Sequence, residues 1–258
     1  MSEILFEVRD QVAHISLNRP EKLNAVNRSM ALELQDQLLA CDENDSVRAV
    51  LLSGSGRAFC SGQDLTEFPP GALPDFEKAI DEIYNPVIRL LKTIRKPVVC
   101  AVNGIAAGAG ANIALACDIV VAVSTASFVQ AFSKIGLIPD SGGTFFLPRL
   151  IGLQKATALM MLGDKISAQE AERIGMIYAC YEENEFVEKS GQLALALAKL
   201  PTVALILTRK ALLETFSNTL EEQLDLEKKF QQKAGHTKDF AEGVTAFLQK
   251  RAPVFKGK

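Results

Sequence analysis

Residues 97–123 constrain this chain more than any other stretch. Pro97 opens the run Val-Val-Cys-Ala-Val102, and Asp118 opens a second, Ile-Val-Val-Ala-Val123. A strand with one wet face alternates apolar and polar side chains, whereas a strand apolar at every position is covered on both faces. Between the two runs, residues 109–117 hold little but Ala, Gly, Ile and Leu, the composition of a buried helix. Strand, helix and strand, all apolar, predict βα units with helices on the faces of a sheet, an α/β fold.

The alternation extends in both directions. Residues 4–8 and 12–17 alternate around the break Arg9-Asp10-Gln11 and predict a hairpin. Met30, Leu34, Leu38 and Cys41 repeat at helical spacing over 29–41, and 49–52 read as a buried strand ended by Ser53-Gly-Ser-Gly56. An amphipathic helix is expected over 77–94, and shorter ones over 144–150, 155–162 and 168–174. Near Pro201 the composition changes: 203–216, 220–234 and 240–248 are helical patterns, and no strand follows. The expected division is therefore a core over 1–200 and a helical region over 201–258. There Leu220, Leu224, Phe230, Phe240, Val244, Phe247 and Leu248 either cap their own domain or cover a partner.

Bulk properties exclude several classes. With 258 residues, 48% of them apolar, the chain can bury a sizeable core. A net charge of −3 lacks the basic face that nucleic acid requires. Five cysteines without a C-x-x-C pair read as buried thiols rather than disulfides or zinc ligands. The opening Met1-Ser-Glu-Ile-Leu-Phe-Glu-Val has no basic, then apolar, leader pattern, and no window resembles a membrane span of about 18 apolar residues. A reducing cytoplasm is expected.

Three short segments carry candidate chemistry. Gly108-Ala109-Gly110 begins a helix directly after a strand and loop, where small side chains and unpaired N–H groups admit an oxygen ligand. The same glycines also suit plain helix–sheet packing, which spacing alone favours. Phe59-Cys-Ser-Gly-Gln-Asp-Leu65 follows another strand and glycine turn; Gln63 N–H is a second candidate donor, while Asp64 is either an acid or a turn former. Asp140, in Gly136-Leu-Ile-Pro-Asp-Ser-Gly-Gly-Thr144, has the spacing of a helix N-cap. Its flanks are apolar and no cation adjoins it before Arg149, so burial should favour the neutral acid and tune it for proton exchange. The two histidines, His14 and His236, offer no triad or metal set.

Arg19-Pro-Glu-Lys-Leu-Asn-Ala25, Phe59 to Leu65, Ala101-Val-Asn-Gly104 through Cys117-Asp118, and Gly136 to Thr144 together resemble the enoyl-CoA hydratase/isomerase (crotonase) superfamily, nearly end to end. The resemblance implies a spiral of ββα turns with a C-terminal helical trimerisation region, assembled as a homotrimer or a dimer of trimers. It implies an acyl-CoA substrate and no separate cofactor, coenzyme A entering as part of that substrate. It assigns the oxyanion hole to the backbone N–H groups of Gln63 and Ala109, lined by Gly62, Gly108 and Gly110. Lys22, Leu23, Ala25, Ser61, Asp64 and Leu65 match segments that hold the bent coenzyme A, and Phe255 and Lys258 match a tail that reaches a neighbouring subunit's ligand.

Departures from the family pattern narrow the activity. Family hydratases carry two glutamates that position and split water; Asn112 and Phe132 stand at those places here, as pocket-shaping residues. The acid lies instead at Asp140, where several family isomerases keep theirs, so isomerisation is expected with Asp140 as acid and base. The alternatives are another family reaction, hydration or dehalogenation, or acyl-CoA binding without catalysis. Aryl-CoA dehalogenases place an aspartate there beside a Trp, a residue this chain lacks, and an acyl-CoA-binding oligomer would need no acid at all. The acyl pocket depends on the shape of 77–94 and of the loop 66–75.

Overall fold

The computed structural model describes residues 2–67 and 75–258. Part of the loop 66–75, and Met1, lie outside the described residues.

Ten strands occur among them: β1 (Ile4–Arg9), β2 (Val12–Leu17), β3 (Ala49–Gly54), β4 (Ala58–Cys60), β5 (Val98–Val102), β6 (Ile105–Ala107), β7 (Ile119–Val123), β8 (Ser127–Val129), β9 (Lys165–Ser167) and β10 (Ala179–Tyr181). They form a six-stranded sheet in the order β1-β2-β3-β5-β7-β10 and a four-stranded sheet in the order β4-β6-β8-β9. The hairpin β1–β2 is antiparallel, Ile4 opposite Leu17. Its turn places Asp10 and Gln11 at φ 51° and 65°, the left-handed pair that joins two strands with matching twist. From β2 onward the larger sheet is parallel.

The two sheets are threaded together. β3, β5 and β7 each pass after a short turn into β4, β6 and β8, and a helical segment follows each pair. The result is a repeated ββα turn, the spiral that the sequence resemblance implies. Every residue of β5 is buried, as is every residue of the helix Ala109–Ala116. That double coverage is what the unbroken apolar runs demand.

Differences from the sequence reading are local. The helix expected over 77–94 begins as Phe76–Ala79, widens into a π turn at Ile80–Tyr84 and resumes as Asn85–Thr93. The three-residue strands β4, β6, β8, β9 and β10, and the helix Glu183–Ala198, were not anticipated.

After Thr202 come the helices Thr202–Glu214, Leu220–Gly235 and Lys238–Leu248. Buried Arg209 ties the first of them to the core, pairing with Asp118 at 3.0 Å. Arg48 holds the same region from its other end, donating to Thr202 Oγ1 and to the Leu200 carbonyl at 2.8 Å each. The helix Leu220–Gly235 buries no residue, and Phe247 is 83% exposed. Leu220, Phe247 and Leu248 therefore do not cap their own chain.

Candidate active site

Two backbone segments form one wall. Leu23 to Val26 runs beside Ser61 to Asp64: Ser61 N–H donates to Leu23 O, Val26 N–H to Gly62 O and Asp64 N–H to Val26 O, at 3.0, 2.7 and 2.8 Å. Asn24 fixes the first segment. Its buried side chain accepts from Arg19 N–H and donates to the Ser55 and Ala58 carbonyls. Gly62 has φ +96°, and a Cβ there would stand 3.0 Å from Ala107 O and 3.7 Å from Ala109 N. Only glycine allows this approach, which brings Gln63 beside the start of the helix Ala109–Ala116.

Among the described residues neither Gln63 N–H nor Ala109 N–H finds an acceptor within the protein. Gly108, at φ 52°, precedes Ala109 without supplying a side-chain cap. The helix start therefore keeps its partial positive charge for a ligand. Gln63 and Ala109 both border a cavity of about 200 Å³, together with Ser61, Gly62, Leu65, Gly108 and Phe132. Asp140 lines the same cavity.

Asp140 does not cap a helix. The helix Gly143–Ile151 is capped at Gly142, which makes no side-chain bond, because Ser141 and Gly142 turn the chain through φ +50° and +72° first. The Asp140 carbonyl accepts from Asn112 Nδ2 and from Gly143 N–H, both at 2.9 Å. Its carboxyl accepts from Ser141 Oγ at 2.9 Å. Burial raises its proton affinity above the ordinary carboxylate value, and the Ser141 bond and its own main-chain N–H oppose that rise only in part. No cation pairs with it among the described residues.

Several residues singled out in the sequence lie elsewhere. Asn112 is fully buried behind Asp140, clamped by Gln130 Nε2 at 2.8 Å, and does not border the cavity. Gly110 serves packing, since a Cβ on it would fall 2.5 Å from Cys60 O. Asp64 is engaged with Arg19 at 2.8 Å and with Thr66, so its carboxylate is a strut rather than a ligand group. Leu23 and Ala25 take part through their carbonyls, and Lys22 is an exposed neighbour of Ser61.

Phe255 and Lys258 fold back on their own chain. Phe255 packs on Gly243 and offers its carbonyl to Arg48, while Lys258 pairs with Asp45 at 2.9 Å. Asp239 pins the tail by accepting from the Lys256 and Gly257 amides at 2.6 and 2.7 Å.

Two residues of the site escaped the sequence reading. Tyr84, 2% exposed, donates its hydroxyl to Gln63 Oε1 and borders the cavity. Burial, and then the negative charge of Asp140, push its proton affinity up. Gln130 is the other, buried beneath Asn112. A tyrosine in an amphipathic helix and a glutamine after a short strand carry no motif that would have marked either.

Two free amides and one acid whose proton affinity burial raises thus border one cavity, walled by Phe76, Ile80, Phe132 and Leu137. Such a space can hold a carbonyl at the amides, stabilise charge that develops on its oxygen, and exchange a proton at a nearby carbon.

A family model described as enoyl-CoA hydratase/isomerase matches residues 7–258. The 1,2-epoxyphenylacetyl-CoA isomerase of Escherichia coli (strain K12) is 46% identical, covering 100% of both chains. A probable enoyl-CoA hydratase of Rhodobacter capsulatus is 43% identical over 99% of this chain and 98% of its own. Among solved structures, the enoyl-CoA hydratase of Bacillus anthracis superposes with a TM-score of 0.94 at 34% identity, covering 99% of this chain and 100% of its own.

Proposed function

Because the chain belongs to the enoyl-CoA hydratase/isomerase family, we propose that it is an acyl-CoA isomerase with Asp140 as its acid and base. The observation that carries this reading is a single unpaired acid sharing a cavity with two free amides. The thioester oxygen sits between Gln63 N–H and Ala109 N–H. Asp140, as carboxylate, takes a proton from C2 of a 3-enoyl group, and the charge moves onto the held oxygen. The protonated acid then returns the proton at C4, and the double bond ends between C2 and C3. Each donor of such a hole is worth about 100- to 1,000-fold.

The similarity to the Escherichia coli relative favours a finer reading: conversion of 2-(1,2-epoxy-1,2-dihydrophenyl)acetyl-CoA to its ring-expanded oxepin, with Asp140 assisting epoxide opening. Both reactions rearrange atoms already present, so neither calls for a redox group or metal. Phe132 against Gly108 keeps water from the reacting carbons. The backbone from Lys22 to Ala25 flanks the path of the coenzyme A, and a trimer would cover the bare faces of the C-terminal helices.

Hydration is the competing reading, because a relative 43% identical is named a probable hydratase. It lacks a second acid here: Asn112 is buried behind Asp140 and Phe132 is apolar. One assay separates the readings. The protein is incubated with 3-enoyl-CoA, 2-enoyl-CoA and enzymatically generated epoxyphenylacetyl-CoA, and products are followed by mass and absorbance. Isomers of unchanged mass are expected. A product heavier by one water as the main outcome would replace isomerisation with hydration.

A further inference from the structure

We propose that Ser141 is a positioning residue for Asp140: its hydroxyl holds Oδ1 and leaves Oδ2 as the oxygen that meets the substrate. The inference rests on the isomerase reading above and goes beyond it, since it assigns the two carboxyl oxygens different work.

Ser141 occupies a position that costs the fold something. Its φ is +50°, in the left-handed region that disfavours residues other than glycine, and Gly142 follows at +72°. Glycine at 141 would make the same turn with less strain. What serine adds is one hydroxyl, 2% exposed as a residue, and that hydroxyl makes a 2.9 Å bond to Asp140 Oδ1. The consecutive left-handed residues turn the chain beside that bond.

Behind, Asn112 and Gly143 hold the Asp140 carbonyl. The main chain and Oδ1 are thus both fixed; the carboxyl also feels its own main-chain N–H, while Oδ2 takes no side-chain hydrogen bond among the described residues. The other ionisable groups facing this corner are Tyr84 from the π turn, Lys134 from the segment Ala131–Ile135, and Glu67, bonded to Gln63 beyond Tyr84. None pairs with Asp140, so among the described residues the serine hydroxyl is its one side-chain donor.

A hydrogen bond to a carboxylate favours the charged, basic form, and its loss raises proton affinity. Ser141→Gly removes the hydroxyl and relieves the backbone; Ser141→Ala removes the hydroxyl alone; Ser141→Thr keeps it. For the 3-enoyl-CoA shift, the acid limb of kcat should move up by about one pH unit in both Gly and Ala variants. Below that limb kcat should fall about tenfold with KM changed less than about twofold. Ser141→Gly should melt no lower than the parent, and Ser141→Thr should keep the parent limb even with a lower Tm.

A Ser141→Gly limb that superimposes on the parent's would overturn the inference, as would recovery of kcat by Gly but not Ala, which would make the turn shape decisive. If the parent protein turns over no acyl-CoA, the isomerase reading fails and the inference is still decided by titrating the Asp140 carboxyl. Carbon NMR of 13C-carboxyl-labelled aspartate, assigned with Asp140→Asn, should show the same upward shift in Ser141→Gly. Coincident titration curves would overturn it.

Discussion

Asp64 and Asp140 lie on two loops that border the same cavity, and their surroundings differ in nearly every respect. Asp64 receives the Thr66 hydroxyl and amide on one oxygen and Arg19 on the other, at 2.6, 3.0 and 2.8 Å. The Thr66 hydroxyl and Arg19 hold its carboxyl below the ordinary range against the effect of burial. Among the described residues Asp140 has no cation partner and one side-chain hydroxyl beside its own main-chain N–H, and burial moves it upward. Identical side chains have thus been given opposite tasks. One locks a loop by staying charged, and the other is shifted by burial towards the form that can give a proton back.

Substitutions at the two positions should have unlike signatures. Asp140→Asn should lose about 100- to 10,000-fold in isomerisation while binding acyl-CoA as tightly as before, measured by turnover and by calorimetry. Asp64→Ala takes one of two carboxylate partners from the largely buried Arg19 guanidinium, leaving Glu3 at 3.2 Å and the Ala25 carbonyl. It should cost about 1.5–3 kcal/mol of folding stability in denaturant melts. Comparable loss of turnover in fully folded Asp64→Asn would blur the distinction.

Tyr84→Phe tests the link between the regions, since Tyr84 bonds Gln63 and feels Asp140. Losing that one bond should lower kcat about five- to tenfold, with stability reduced by about 1 kcal/mol.

The smallest effect is a pair of opposite pH trends. Asp64 is depressed in the folded state, so its stabilisation is full above the ordinary value of 3.8 and fades as pH falls through the folded pKa. Asp140 is raised, so its charge costs stability above the folded pKa, and that cost vanishes as pH falls towards 3.8. Thermal melts should therefore show Asp140→Asn above the parent at neutral pH and level with it in acid. Asp64→Asn should lie below the parent at neutral pH, with the gap closing in acid.

Legibility in the sequence followed the length of each signal. The strands β3, β5 and β7 and the helix Ala109–Ala116 are long apolar runs, and they could be placed within a residue or two. The partner strands β4, β6 and β8 have three residues each, too few for any period to show. A helical period gave the segment 77–94 but not its π turn, and it is that turn which carries Tyr84. Asp140 stood out by its apolar flanks, although spacing could not separate an acid from a cap. The two left-handed residues after it settle that point. Asn112 looked like a pocket residue because it replaces a family acid; the fold instead puts it behind the loop, where Gly143 packs against its amide.

Hydrogen exchange at C2 of phenylacetyl-CoA in D2O tests most directly whether one acid and two amides act together. The saturated side chain offers no double bond to move, so only proton removal and return can exchange its C2 hydrogens. Mass spectrometry should show deuterium entering at C2 with the parent protein and Asp64→Asn, and falling to the uncatalysed rate with Asp140→Asn. Exchange that persists undiminished in Asp140→Asn would mean that some other group removes the proton.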